Sequence, residues 1–70
     1  MAYGPTVRRL QLGRELRRLR EAADLPRDKA AERVSHDKTW MSRAESGRLA
    51  PSVAEVEILL NFYGLASDSE

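Results

Sequence analysis

The sequence lacks cysteine altogether, and none of its apolar runs exceeds three residues. Without cysteine it has neither a disulfide framework nor a cysteine-based zinc site, the usual supports of chains this short. A membrane span needs about 18 consecutive apolar residues. A secretory signal needs a charged segment, an apolar segment and a small-residue cleavage site. The chain shows neither pattern, so we predict a soluble cytoplasmic protein with no membrane partner.

Aromatic residues are also scarce, amounting to one Trp, one Phe and two Tyr among 70 residues. The chain is 41% hydrophobic and 33% charged, and leucine, valine and alanine supply most of the apolar surface. A core of this size rarely supplies more than about 3–5 kcal/mol without staples. The composition therefore predicts one small domain of closely packed helices.

An excess of charge of either sign is missing too, because 12 basic residues face 11 acidic ones, for a net charge of +1. The charges are nevertheless segregated. Residues 1–20 carry six arginines and one glutamate, residues 21–48 carry six charges of each sign, and residues 49–70 carry four acids and no base. Near-neutrality therefore does not exclude a nucleic-acid partner, although the acidic C-terminal third predicts modest non-specific affinity.

Four segments show apolar residues at helical spacing. The first helix is expected to begin at Thr6 and to bury the face formed by Leu12, Leu16, Leu19 and Ala23. Gly13 costs this helix about 1 kcal/mol relative to alanine and suggests that another helix approaches closely. The other faces carry Arg8, Arg9, Arg14, Arg17, Arg18 and Arg20.

Two short helices follow, over about residues 27–34 and 38–45. Pro26 separates the first helix from the second, since proline is tolerated at a first helical position. Asp37 is a good N-cap for the third helix, and Gly47 lies just past its end. The residues expected to face inward are Ala30, Ala31, Val34, Met41 and Ala44.

Ser52 and Glu55 have the spacing of a capping box, which predicts a fourth helix that ends at Gly64. Its inward side is expected to contain Val53, Val56, Leu59, Leu60 and Tyr63. Two short helices joined by a tight turn, with a helix before and another after, are the arrangement of a helix-turn-helix. The sequence therefore predicts an all-α bundle with this motif at about residues 27–46.

Residues 25–48 resemble the lambda-repressor-like helix-turn-helix family, the XRE type of bacterial and phage transcription regulators. The strongest signal combines Ala31 with residues 41–43 and the Glu-x-Gly-Arg pattern of residues 45–48. The resemblance implies a compact lambda-repressor-like bundle of four to five helices. It also implies sequence-specific binding of double-stranded DNA, with the third helix in the major groove.

The resemblance covers residues 6–65, which leaves residues 1–5 as an N-terminal arm and residues 66–70 as a polar tail. The N-terminal segment looks like the start of actinobacterial members, which usually continue into a larger C-terminal domain. We therefore expect the tail to mark the point at which a longer regulator continues. Family members often have glycine where Ser35 stands, because the turn needs a positive φ.

Outward side chains in the N-terminal half of a recognition helix reach base edges in the major groove. Arg43 is the strongest candidate for a base contact, since arginine bidentate to guanine is the commonest specific pairing. Arg27 opens the second helix, where exposed N–H groups favour a phosphate. Gly47 and Arg48 are expected to bring the loop backbone to the opposite phosphates. The predicted DNA-binding residues are Arg27, Lys38, Thr39, Ser42, Arg43, Gly47 and Arg48.

Several of the conspicuous residues have ordinary structural explanations that involve neither catalysis nor metal binding. The arginines of the first helix are typical of a solvated face, and Glu45 is expected to bond to one of them. Trp40 is more typical of packing than of base stacking. His36 has no second ligand at metal spacing, and Ser42 has no partners for a triad. We therefore expect no enzyme activity, no metal and no cofactor.

Two alternatives to DNA recognition stay open. The same fold could be the protein-interaction module of an antitoxin or an anti-sigma-like regulator, or a helical scaffold fragment without a ligand. If the chain binds DNA, paired modules would suit half-sites about 34–36 Å apart. We then expect the protein to form a homodimer through a region outside this chain and to be associated with the nucleoid.

Overall fold

The computed structural model of the chain describes residues 7–64. This part contains four helices, α1 (Val7–Ala22), α2 (Arg27–Arg33), α3 (Lys38–Glu45) and α4 (Val53–Phe62). The described residues contain no strand, so the predicted all-α class is confirmed. The expected helix start at Thr6, the N-terminal arm, the polar tail and any helix after Gly64 lie outside the described residues. None of the four helices is long and apolar enough to cross a membrane.

Short-range hydrogen bonds set the beginnings of α3 and α4. The Asp37 carboxylate accepts a bond from the Trp40 backbone N–H at 2.8 Å. The Ser52 hydroxyl accepts from the Glu55 N–H at 3.1 Å, and the Glu55 carboxylate accepts from the Ser52 N–H at 2.8 Å. Both predicted caps are confirmed. Pro26 differs slightly from the prediction, because it is the extended N-cap residue of α2 and not its first helical residue.

The turn between α2 and α3 contains a side chain in a left-handed conformation. Ser35 has a φ of 60°, as expected for the position at which the family often has glycine. An L-residue there costs roughly 1–2 kcal/mol relative to the right-handed region. After the last residues of α4, Gly64 has a φ of 90°, which confirms the predicted end of that helix.

The crossing of α1 and α3 depends on Gly13. A Cβ atom at this position would lie 2.4 Å from the carbonyl oxygen of Glu45 and 2.7 Å from that of Ala44. Real Cβ atoms do not approach backbone oxygens so closely, so the two helices could not pack in this way around a larger residue. The close approach predicted from the sequence is therefore confirmed.

The core lies where the four helices meet. Its members are Leu16, Ala30, Ala31, Val34, Met41, Leu59 and Tyr63. The inward residues predicted for α2 and α3 are all buried. One residue predicted to face inward from α4 does not: Val53, the first residue of that helix, is 76% exposed. Burial and the nearby Glu45 carboxylate raise the pKa of Tyr63 to about 12, so this core phenol stays neutral.

Candidate nucleic-acid interface

Helix α3 has two clearly different faces. Met41 and Ala44 are buried in the core, whereas the predicted base-reading residues are exposed. Positions separated by one, four and five residues share one side of a helix. The structure thus brings four sequence-predicted residues together on a single outward face, namely Lys38, Thr39, Ser42 and Arg43.

A buried ion pair holds the C-terminal end of α3 against α1. Arg20 donates from Nε to Glu45 Oε2 at 2.6 Å and from Nη2 to Glu45 Oε1 at 3.2 Å. Its Nη1 donates to the Leu25 carbonyl at 2.7 Å. The two charged side chains are only 7% and 3% exposed, and the hydrogen bonds to Glu45 raise the pKa of Arg20. The predicted bond between Glu45 and a first-helix arginine is confirmed.

Arg20 itself was predicted wrongly, because the sequence placed it with the solvated arginines of the first helix. It faces inward because a carboxylate 25 residues later meets it there. The exposed arginines behave as expected of a solvated face: Arg17 pairs with Glu21 at 3.0 Å and Arg18 pairs with Glu15. These local bonds hold the pKa values of both glutamates below their ordinary value.

Arg27 joins the same network from the first position of α2. Its Nε donates to Glu45 Oε1 at 3.1 Å, and its side chain is 36% exposed. Two guanidinium groups therefore share one carboxylate, and the cluster keeps a net positive charge. The contact links the predicted phosphate ligand of α2 directly to the end of the recognition helix.

The loop after α3 places its two predicted DNA-binding residues differently. Gly47 is buried and has a φ of 81°, and a Cβ atom there would lie 3.0 Å from Leu10 Cδ2. Its conformation and its contact with α1 both favour glycine. Arg48 is exposed, and its N–H donates to the Arg43 carbonyl at 2.9 Å, which closes the end of α3.

The turn before α3 contains a cluster that the sequence analysis missed. The His36 ring stacks on the Trp40 indole with centroids 4.1 Å apart and an interplanar angle of 4°. Its Nε2 lies 2.9 Å from Glu55 Oε2. The Ser52 N–H and then His36 hold the pKa of Glu55 below its ordinary value. The i, i+4 spacing of His36 and Trp40 could have predicted the contact between their rings. No sequence pattern indicated the contact with Glu55, which lies 19 residues after His36.

Among residues 7–64, no group of three or more histidine or acidic side chains is arranged to hold a metal ion. A protein-family model described as a helix-turn-helix domain matches residues 11–70. No curated protein and no solved structure matches the chain.

Proposed function

The chain belongs to the helix-turn-helix domain family of the XRE and lambda-repressor type, and from this premise we propose that it is the sequence-specific DNA-binding domain of a transcription regulator. The observation that supports this proposal most directly is the polar, exposed face of α3 opposite its buried apolar face. An α-helix about 10–12 Å in diameter fits the major groove of B-DNA, which is about 12 Å wide. The proposed partner is therefore double-stranded DNA, entered by α3.

Within that face, we assign base recognition first to Arg43. Its guanidinium can donate two parallel hydrogen bonds to the O6 and N7 atoms of a guanine. Thr39 and Ser42 have hydroxyl groups that suit either base edges or phosphates. Lys38, in the first turn of α3, supplies a positive charge for a base or the adjacent backbone.

Arg27 and Arg48 are assigned to the phosphate backbone on either side of α3. Arg27 is held to Glu45 through Nε alone, and no other contact within residues 7–64 engages its terminal amino groups. Those two groups form the planar fork that matches a phosphate. Arg48 is exposed directly after α3, and Gly47 lets the backbone there take its positive φ. Contacts of this kind position a protein on DNA without reading sequence.

Titration of a duplex library at two salt concentrations tests the proposal. The logarithm of the association constant should fall with the logarithm of salt, with a slope of about −0.9 for each phosphate contact. Binding that is absent even at low salt would overturn the proposal and favour the protein-interaction alternative. If the domain binds, selection from random duplexes, with the domain fused to a dimeriser, would yield the half-site and its spacing.

Substitution of Arg43 separates base recognition from simple charge. We expect Arg43→Ala to lose about 1–3 kcal/mol on the preferred site and to relax the preference at one base pair. Arg18→Ala is the matched control, since it removes the same charge from an exposed position on α1. An equal loss on every sequence would identify Arg43 as a phosphate contact.

We further propose that the full regulator binds as a homodimer and is associated with the nucleoid. Two copies of a helix-turn-helix on one face of B-DNA read half-sites about 34–36 Å apart. In a separate selection without the added dimeriser, a site with two inverted halves at that separation would support the dimer. A single asymmetric half-site in the same selection would count against it.

A further inference from the structure

Three side chains that meet beside the turn between α2 and α3 have no role in the assignment of base and phosphate contacts. They are His36 in the turn, Trp40 in the first turn of α3 and Glu55 at the start of α4. The His36 ring lies flat on the Trp40 indole, at a centroid distance of 4.1 Å. On its edge, Nε2 meets Glu55 Oε2 at 2.9 Å. One imidazole therefore connects the beginning of the recognition helix to α4.

The Glu55 carboxylate is itself held in place. Its Oε1 accepts from the Ser52 N–H at 2.8 Å, as part of the capping box, while Oε2 is directed at His36. The His36 and Glu55 side chains are 34% and 27% exposed, so solvent screens them only partly. Because Glu55 cannot move without breaking its cap, it gives the imidazole a fixed point on α4.

The cluster also borders the proposed DNA contacts. His36 and Trp40 line one cleft together with Thr39 and Arg43, both assigned above to the DNA-facing surface. Trp40 and Thr39 lie in the same first turn of α3, so the imidazole contacts the turn that carries one of the proposed DNA-facing residues.

Building on the proposed function, we propose that His36 is a positioning residue for the recognition helix, and that protonation of its ring strengthens DNA binding. The imidazolium turns the contact with Glu55 into an ion pair and places a positive charge over the electron-rich face of Trp40. Both changes hold the first turn of α3 more firmly against α4. DNA binding then needs less ordering of that turn.

The charges around the ring decide the sign of the effect. The acidic groups near the ring are Glu55 from α4 and Asp37 in the same turn, and the basic group across the cleft is Arg43 on α3. Bound DNA would bring phosphates to this surface and add a negative potential. Coupling between binding events is reciprocal, so a ligand that favours protonation is bound more tightly by the protonated protein. Histidine is the side chain that normally changes charge between pH 5 and 8.

The single tryptophan of the chain makes the cluster directly measurable without DNA. An imidazolium in contact with indole accepts charge from its excited state and quenches its fluorescence. The emission of the wild-type protein should therefore fall in one titration step as the pH is lowered from 8 to 5.5. His36→Gln should abolish the step.

DNA affinity measured at the same pH values and constant salt completes the test. We expect the wild type to bind its selected duplex roughly three- to tenfold more tightly at pH 5.5 than at pH 8. His36→Gln should bind with nearly the same affinity at both pH values. Thermal unfolding at each pH confirms that every variant is folded.

Four results would overturn the inference. Fluorescence that does not titrate would show that the ring is not stacked on Trp40. A fluorescence step without a pH-dependent DNA affinity would show that His36 is only a structural contact. The same conclusion would follow if the DNA affinity of His36→Gln had the same pH dependence as that of the wild type. An absence of DNA binding at both pH values would reject the proposed function together with this inference, and the fluorescence titration would distinguish that outcome from failure of the cluster itself.

Discussion

Arg20 and Arg27 donate to the same carboxylate but should respond very differently to the same substitution. The Arg20 side chain is 7% exposed and Glu45 is 3% exposed. Removing one partner of a buried ion pair costs about 3–5 kcal/mol, because the other charge stays buried without compensation. Arg27 still pairs with Glu45 at 3.1 Å, so we expect Arg20→Gln to cost about 3 kcal/mol, at the lower end of that range.

That loss is comparable to the whole stability expected of an unstapled domain of this size, about 3–5 kcal/mol. Arg20→Gln also removes the donor to the Leu25 carbonyl, 2.7 Å away. The variant should therefore keep only a small part of its stability and unfold at a much lower urea concentration than the wild type. Arg27→Gln should cost only about 0–1 kcal/mol, since the Arg27 side chain is 36% exposed and can be replaced by water.

Urea unfolding followed by circular dichroism measures both losses, because the free energy of unfolding falls linearly with denaturant. Arg17→Gln is the control, since Arg17 lies on the same helix and its ion pair with Glu21 is 57% and 54% exposed. Its unfolding midpoint should match that of the wild type. If Arg20→Gln is no more destabilising than this control, the argument from burial is refuted. Arg27→Gln should weaken DNA binding on every sequence while leaving the protein folded.

Three further substitutions test the packing and the caps. Gly13→Ala places a Cβ atom 2.4 Å from the Glu45 carbonyl oxygen. It should destabilise the protein by about 1–2 kcal/mol, despite a gain of about 1 kcal/mol in helix propensity. A raised melting temperature would contradict the close crossing of α1 and α3. Ala31→Leu overpacks a fully buried site and should cost about 1–3 kcal/mol, so an unchanged melting temperature would refute its burial. Ser52→Ala removes the acceptor for the Glu55 N–H and should cost about 1 kcal/mol in urea unfolding, unless the capping bond is absent in solution.

Much of the fold was predictable because its signals are local. Asp37 and Ser52 cap helices through bonds that span three residues. The outward face of α3 follows from the positions of Met41 and Ala44 within a single helix. The Val53 prediction failed for the complementary reason. Periodicity gives the direction of a side chain around its helix axis, but it does not show whether another element covers that position.

The sequence by itself determined the four helices, the caps of α3 and α4, the membership of α2 and α3 in a helix-turn-helix, and the polar face of α3. Only the tertiary structure decided which arginine of α1 is buried, which carboxylate it shares with Arg27, and that His36 meets Glu55. The local pattern does not distinguish Arg20 from the exposed arginines around it. Its burial is possible because Glu45, 25 residues later, compensates the charge, and the packing of separate helices creates that proximity.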